Sequence, residues 1–264
     1  MPNILLLRTY TEIESPTFVP NLGLMYLASI GRQHNSDYRF KILDLNLYRQ
    51  YIHERIEEIR KFNPQVVGIT CMSYEANTVH RTAAYLKQEL PGVKILIGGP
   101  YPSASPLRSV IDPNIDFAAL GEAEDTFIEL LDRIFSGGTD FRDIKGIAFR
   151  YQAEPIKTEK REFREDLDNI PFPAWDLIDM EGYWAVERWH YIHVEKRYMP
   201  IYTSRACPYQ CTYCHDIFGK TFRVGLSILL CLFAIAILGY LFQASLFVLM
   251  VLGIVTLLVT AVNP

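Results

Sequence analysis

The sequence predicts an α/β protein whose first part is a doubly wound parallel sheet. Two observations carry that prediction. Short apolar runs of strand length alternate with longer stretches at helical spacing through residues 3–135. Small or polar residues then follow several of those runs, where a parallel sheet presents the carboxyl ends of its strands.

Asn3 to Leu7 is the first apolar run and reads as a buried strand. Asn21 to Gln33 reads as a helix, with Leu24, Leu27 and Ala28 at helical spacing and Leu22, Met25 and Ile30 widening the apolar face. Phe40 to Leu45 is the second strand. Ile52 to Phe62 follows as a helix with Glu54, Arg55, Glu57, Glu58, Arg60 and Lys61 on a solvated face. Val66 to Thr70 is the third strand, Asn77 to Leu90 a helix, and Lys94 to Ile97 the fourth strand, running into Gly98 and Gly99. Phe117 to Leu120 is the fifth, followed by Gly121, Glu122 and a helix from Asp125 to Phe135. Ile144 to Arg150 adds a strand-like run. The charge-rich stretch from Tyr151 to Asp166 reads as a solvated connector. Ile170-Pro171-Phe172-Pro173 breaks helix and strand alike and reads as a bridge between domains. Trp189 to Val194 alternates as a half-buried strand, which makes His190 and His193 structural.

Charge divides the chain sharply. All 26 Lys and Arg and all 30 Asp and Glu lie at or before Arg223, and the formal net charge is −4. Such a balance gives no electrostatic argument for nucleic acid. Gly225 to Val262 is uncharged, with Gln243-Ala244-Ser245 its most polar point. The expectation is two membrane helices in a hairpin, Leu226–Phe242 and Leu246–Val262, each near the lower limit of about 17 residues for a core of about 30 Å. One long tilted helix is the alternative. Lys220 and Arg223 at its start would keep the preceding part cytoplasmic, so the expected location is a membrane with a cytoplasmic N-terminal part. No signal-peptide pattern opens the chain at Met1-Pro2-Asn3.

The chemistry concentrates in Cys207-Pro208-Tyr209-Gln210-Cys211-Thr212-Tyr213-Cys214. Cysteines spaced Cys-x3-Cys-x2-Cys can bring three thiolates onto one metal centre, and an iron–sulfur cubane with three protein ligands leaves one iron open. A tetrahedral zinc site completed by His215 is the alternative. Five cysteines in a chain of this length do not make a disulfide framework.

With Tyr213 beside the third cysteine, the motif resembles that of the radical SAM superfamily. The resemblance implies a 4Fe–4S cluster on Cys207, Cys211 and Cys214. It also implies S-adenosylmethionine on the open iron, with Tyr213 at its adenine, and reductive cleavage to a 5′-deoxyadenosyl radical. Pro200-Ile201-Tyr202-Thr203 fits the first strand of that family's partial barrel. The region 1–150 is similar to the Rossmann-like cobalamin-binding domain found before the barrel in one subgroup. That similarity implies cobalamin contacts at Gly23, Thr70, Ser73, Gly98, Gly99, Gly121 and Glu122. Each of these residues taken alone reads better as a plain turn. The wider cobalamin family carries Asp-x-His-x-x-Gly after the first strand. Aligning Gly23 with its glycine puts Phe18 at the aspartate and Pro20 at the histidine, so no imidazole is available to cobalt.

The expected organisation is therefore a cobalamin-binding-like domain over 1–150, a linker and bridge over 151–199, the start of a radical SAM barrel over 200–224, and the membrane segment over 225–262. A full barrel needs on the order of 200 residues, so a second chain is expected to complete it. The implied function is cobalamin-dependent radical SAM chemistry, either methyl transfer or ring-forming carbon chemistry, on a small molecule the sequence does not identify. A non-catalytic cobalamin- or cluster-binding module and a zinc-bound structural protein are the alternatives.

Overall fold

In a computed structural model of the chain, the described residues are 1–11, 19–185, 197–209, 211–212, 214, 221–225, 230, 233–234, 237–238 and 240. They divide into two compact units. The first comprises Met1–Arg164, Ile170–Ile201 and Ala206–Thr221; the second comprises Glu165–Asn169, Tyr202–Arg205 and Phe222–Pro264.

The first unit is built on β1 (Asn3–Arg8), whose Ile4 to Leu7 are fully buried. The chain then forms α1 (Leu22–His34), β2 (Arg39–Asp44), the short α2 (Leu45–Tyr48), and a 3-10 turn leading into α3 (Ile56–Phe62). Next come β3 (Val66–Thr70), a 3-10 turn over Ser73–Glu75, α4 (Ala76–Glu89), β4 (Lys94–Gly98), and the short α5 (Pro100–Ala104) and α6 (Pro106–Ser109). β5 (Phe117–Ala119), α7 (Glu124–Phe135), β6 (Ile147–Tyr151) and β7 (Glu154–Lys157) complete the sheet, and α8 (Met180–Ala185) follows the bridge. The strand order is β2-β1-β3-β4-β5-β6-β7. The chain goes outward from β1 to β2 and then returns to the other side of β1 as β3. That reversal opens a crevice at the carboxyl ends of β1 and β3, the usual ligand position in such sheets.

Local chemistry explains the boundaries. Asn21 caps α1, its Oδ1 accepting from Leu24 N–H at 3.1 Å. Arg49 and Asn63 take left-handed conformations that end α2 and α3. The two faces of the sheet bury separate apolar clusters, one around Leu5, Val67 and Ile95 and one around Ile4, Leu6 and Phe127. Gly31 lets α1 lie close to β2: a β-carbon there would fall 2.8 Å from Phe40 Cε2 and nearer still to Cζ. Phe40 is itself wedged beside Phe127, with ring centroids 6.2 Å apart. Gly31→Val is therefore expected to cost about 2 kcal/mol or more in urea denaturation, since overpacking a filled core forces side chains off their rotamers. A loss under about 0.5 kcal/mol would show that the interface yields freely.

Several expectations need correction. The sheet is mixed: β5 pairs antiparallel with β6, and β6 with β7. The connector from Tyr151 thus contains a strand, because Gln152 and Ala153 adopt positive φ and turn the chain into a hairpin. The helix expected from Ile52 starts instead as a 3-10 turn. Pro200 to Thr203 form no strand; extended pairing begins at β8 (Ser204–Arg205), which pairs antiparallel with β9 (Arg223–Val224) inside the second unit. The membrane hairpin over 225–262 and the membrane location drawn from it are overturned. Among the described residues, no helix is long and apolar enough to cross a membrane. The helical residues described there, such as Leu230 and Leu238, do not add up to such a span. The remainder of that run, the expected strand Trp189–Val194, and Phe18 lie outside the described residues.

Candidate functional site at the carboxyl ends of the strands

The carboxyl ends of β3, β4 and β5 are tied together by backbone and one serine. Thr70 and Gly98 are register partners at the ends of β3 and β4. Cys71 N–H donates to the Gly98 carbonyl at 2.8 Å. Gly99 has φ +100, and a β-carbon there would sit 3.1 Å from the Cys71 carbonyl oxygen, so this close approach requires glycine. The Ser103 hydroxyl donates to the Gly99 carbonyl at 2.8 Å and accepts from Gly121 N–H at 2.9 Å. Gly121 is also left-handed, at φ +71. Thr70, Gly98, Gly99 and Gly121 are therefore brought into one cradle. A β-carbon on Gly98 would meet nothing within 4 Å. The strand end faces open space there, although its neighbours are tightly packed.

Ser73 opens the 3-10 turn beyond β3 and lines a cleft it shares with Tyr101. Glu122 directly follows Gly121, ahead of α7. Gly23 stands apart from the cradle network: it lies in the first turn of α1, where a β-carbon would be 3.3 Å from Asn21 Oδ1. Pro20, the position aligned with the histidine, is buried.

At the switch point itself, Thr9 is 1% exposed and its Oγ1 has no hydrogen-bond partner among the described residues. A buried hydroxyl without a partner is costly unless something else supplies one. Beside it, Arg8 Nη1 lies 3.7 Å from Asp44 Oδ2, and the buried Tyr183 hydroxyl from α8 donates to the same carboxylate. Burial pushes the Tyr183 phenol up, reinforced by the Asp44 charge. Cys71 is fully buried, and burial with the nearby Glu75 carboxylate pushes its thiol up to about 12. It is a core residue without nucleophilic character.

Sequence reasoning missed Thr9, Ser103 and the Asp44–Tyr183 pair. Their roles depend on neighbours 18 to 139 residues away in the chain, and no local spacing encodes that.

The cysteine loop is described at Cys207, Cys211 and Cys214. All three are exposed and outside any disulfide, and Cys214 N–H donates to the Cys211 carbonyl at 3.2 Å. The loop does not draw them into a preformed cage: among the described residues, no three His, Cys, Asp or Glu stand close enough to hold a metal. Tyr213 and His215 lie outside the described residues. The donor chemistry suits an iron–sulfur cluster, being three accessible thiols on one short loop. For a cobalamin, the open strand end at Gly98 and the unsatisfied Thr9 hydroxyl are features a bound ligand would use.

Comparison with known proteins bears on the family and the fold. Residues 12–131 match the family model of the B12 binding domain. An uncharacterized methyltransferase of Pyrococcus horikoshii is 31% identical, across 77% of this chain and 42% of that protein. The cobalamin-dependent radical SAM methyltransferase TokK of Streptomyces tokunonensis is 28% identical, across 57% of this chain and 22% of that protein. Among solved structures, the cobalamin-dependent S-adenosylmethionine radical enzyme OxsB with aqua-cobalamin and S-adenosylmethionine bound superposes with a TM-score of 0.67 at 17% identity, covering 85% of this chain and 30% of that one. That likeness concerns the fold. The chain spans less than half the length of the curated relatives it matches. Residues 12–131 thus form a B12-binding domain, and the chain is homologous to methyltransferases that include a cobalamin-dependent radical SAM one.

Proposed function

We propose that this chain binds cobalamin at the carboxyl ends of its strands and carries a 4Fe–4S cluster for S-adenosylmethionine on Cys207, Cys211 and Cys214, as part of a methyl-transferring or ring-forming radical SAM enzyme. Cobalamin supplies a cobalt-centred methyl or electron carrier, and the cluster with S-adenosylmethionine supplies radical initiation. The residues here do the holding. Gly98 leaves room for the ligand, Gly99 and Gly121 keep the backbone low, and Ser103 fixes the two loops against each other. Thr70, Ser73 and Glu122 offer polar groups at the same edge, and Thr9 offers a buried hydroxyl. Tyr213 is assigned to the adenine, and further chain or a second chain to the rest of the barrel. Gly23 shapes the start of α1 and is not assigned a contact of its own.

The observation that carries the reading is the open Gly98. Gly98→Val adds bulk only to empty space, and its branched side chain suits a strand. Its unfolding free energy is expected to stay within about 0.5 kcal/mol of wild type. Its affinity for cobalamin in equilibrium dialysis should fall at least about tenfold, a loss of about 1.4 kcal/mol. Unchanged affinity would remove the ligand from this edge. A zinc site is distinguished by metal analysis after anaerobic purification.

A further inference from the structure

Next to the cradle, a cleft of about 620 Å³ is lined from the turn before α4, from α4, α5 and α6, and from the loop after α6. Its wall holds a directed hydrogen-bond chain. Asp112 Oδ2 lies 2.8 Å from His80 Nδ1, and His80 Nε2 lies 3.2 Å from the Tyr101 hydroxyl. The other Asp112 oxygen accepts from Asn114 N–H at 2.9 Å and from its side-chain amide at 2.8 Å. Burial raises the Asp112 carboxyl, but the Asn114 and His80 hydrogen bonds outweigh it and hold Asp112 below the usual carboxylate range. An ionised Asp112 only accepts, so His80 Nδ1 carries a proton toward it in every state.

The consequence lies at Tyr101. With His80 neutral, Nε2 accepts the hydrogen bond from the Tyr101 O–H, so the phenol can only accept from a ligand. With His80 protonated, Nε2–H donates to the phenol oxygen and the Tyr101 O–H is released toward the cleft. One proton on His80 thus turns Tyr101 from acceptor into donor. Arg108 lines the same cleft, exposed, and its guanidinium makes no hydrogen bond or ion pair among the described residues. Its charge nevertheless reaches the Tyr101 phenol. Among the other charged neighbours, Glu75 accepts from Met72 N–H at 2.8 Å, Arg8 faces Asp44 at 3.7 Å and reaches Tyr74, and Asp112 is committed to its own loop and to His80. Arg108 is accordingly the uncommitted charge of the cleft.

We propose that this cleft binds a phosphate group through Arg108 and the Tyr101 hydroxyl, and that protonation of His80 strengthens the binding by presenting Tyr101 as a donor. The phosphate has two possible sources, the phosphodiester of a corrinoid's nucleotide loop or a phosphate-bearing small molecule. The site stands on its own geometry and does not require the cobalamin reading.

Sulfate is the probe, because its charge stays constant across the histidine range. Calorimetric titration of the full chain near about pH 5.5 and about pH 7.5, spanning the range over which histidine side chains change charge, should show sulfate binding at least about fivefold tighter at the lower pH, as in typical coupling between sites. Arg108→Gln, at an exposed position that does not threaten the fold, should weaken binding about tenfold at both. Tyr101→Phe and His80→Gln should each remove the pH dependence. Sulfate binding equally to wild type and Arg108→Gln overturns the site; equal affinity at the two pH values overturns the switch. Displacement of sulfate by cobalamin but not by cobinamide, which lacks the nucleotide and its phosphate, assigns the site to the cofactor. Displacement by neither assigns it to a separate phosphate-bearing ligand. Because sulfate is titrated without any corrinoid, failure here and failure of the cobalamin proposal are separately visible.

Discussion

Replacing Cys211 by alanine is expected to take anaerobically reconstituted protein from about four iron atoms per chain to under about one, with loss of the thiolate-to-iron absorption. Cys211 is the middle ligand of the motif, so its removal leaves two thiols for a cluster that needs three. The loop need not collapse, because the turn from Cys214 N–H to the Cys211 carbonyl is made by backbone. Nor can Cys71 replace the lost ligand. It is buried at the end of β3, and its thiol is pushed up to about 12 by burial and by Glu75, far from the thiolate a cluster requires. Iron and zinc analysis of the two proteins decides the matter. Equal iron in both, or one zinc per wild-type chain without iron, would rule out the cluster.

Asp44→Ala is expected to cost about 3–5 kcal/mol of unfolding free energy. The carboxylate is 8% exposed and does three things at once. It caps α2 by accepting from Asn46 and Leu47 N–H at 2.9 and 3.1 Å, it accepts from the buried Tyr183 hydroxyl, and it faces Arg8 at 3.7 Å. Loss of the cap alone costs about 1 kcal/mol. The larger part comes from a phenol left without its acceptor and a guanidinium left without its carboxylate in a poorly solvated place. Asp44→Asn keeps an acceptor and should lose less. Urea denaturation of the three proteins tests the ranking, and a loss under about 1 kcal/mol for the alanine variant would contradict it. The same substitution should loosen α8, since Tyr183 is its one buried residue.

The inner strands of the parallel part, β1, β3 and β4, were readable because each is a short apolar run with a buried centre, and β3 coincides with the expected Val66–Thr70. What the residues left hidden was set by pairing at a distance. β7 carries Glu154, Pro155 and Lys157, a composition that reads as solvated connector. It becomes a strand only because the turn at Gln152 and Ala153 folds it back on β6. The tail misled for the opposite reason. Apolar composition over a long run is the primary sign of a membrane helix, yet among the described residues no helix is long and apolar enough to cross a membrane. At the candidate site, glycines after strands were visible as motifs. The Ser103 link and the unpartnered Thr9 appear only when loops from different strands meet.

The two outer strands of the sheet have a consequence for how the chain behaves in company. β2 presents Arg39 and Lys41 along one margin, with Lys41 paired to Glu58. β7 ends the other with Pro155, which has no N–H to offer, between Glu154 and Lys157. An unprotected margin recruits strands from neighbouring molecules, and charge and proline are the common means of refusing them. Both margins of this sheet are guarded in that way. A seven-stranded sheet with such borders resists stacking into extended aggregates at high concentration, so assembly with other chains must proceed through faces and loops and not by adding strands.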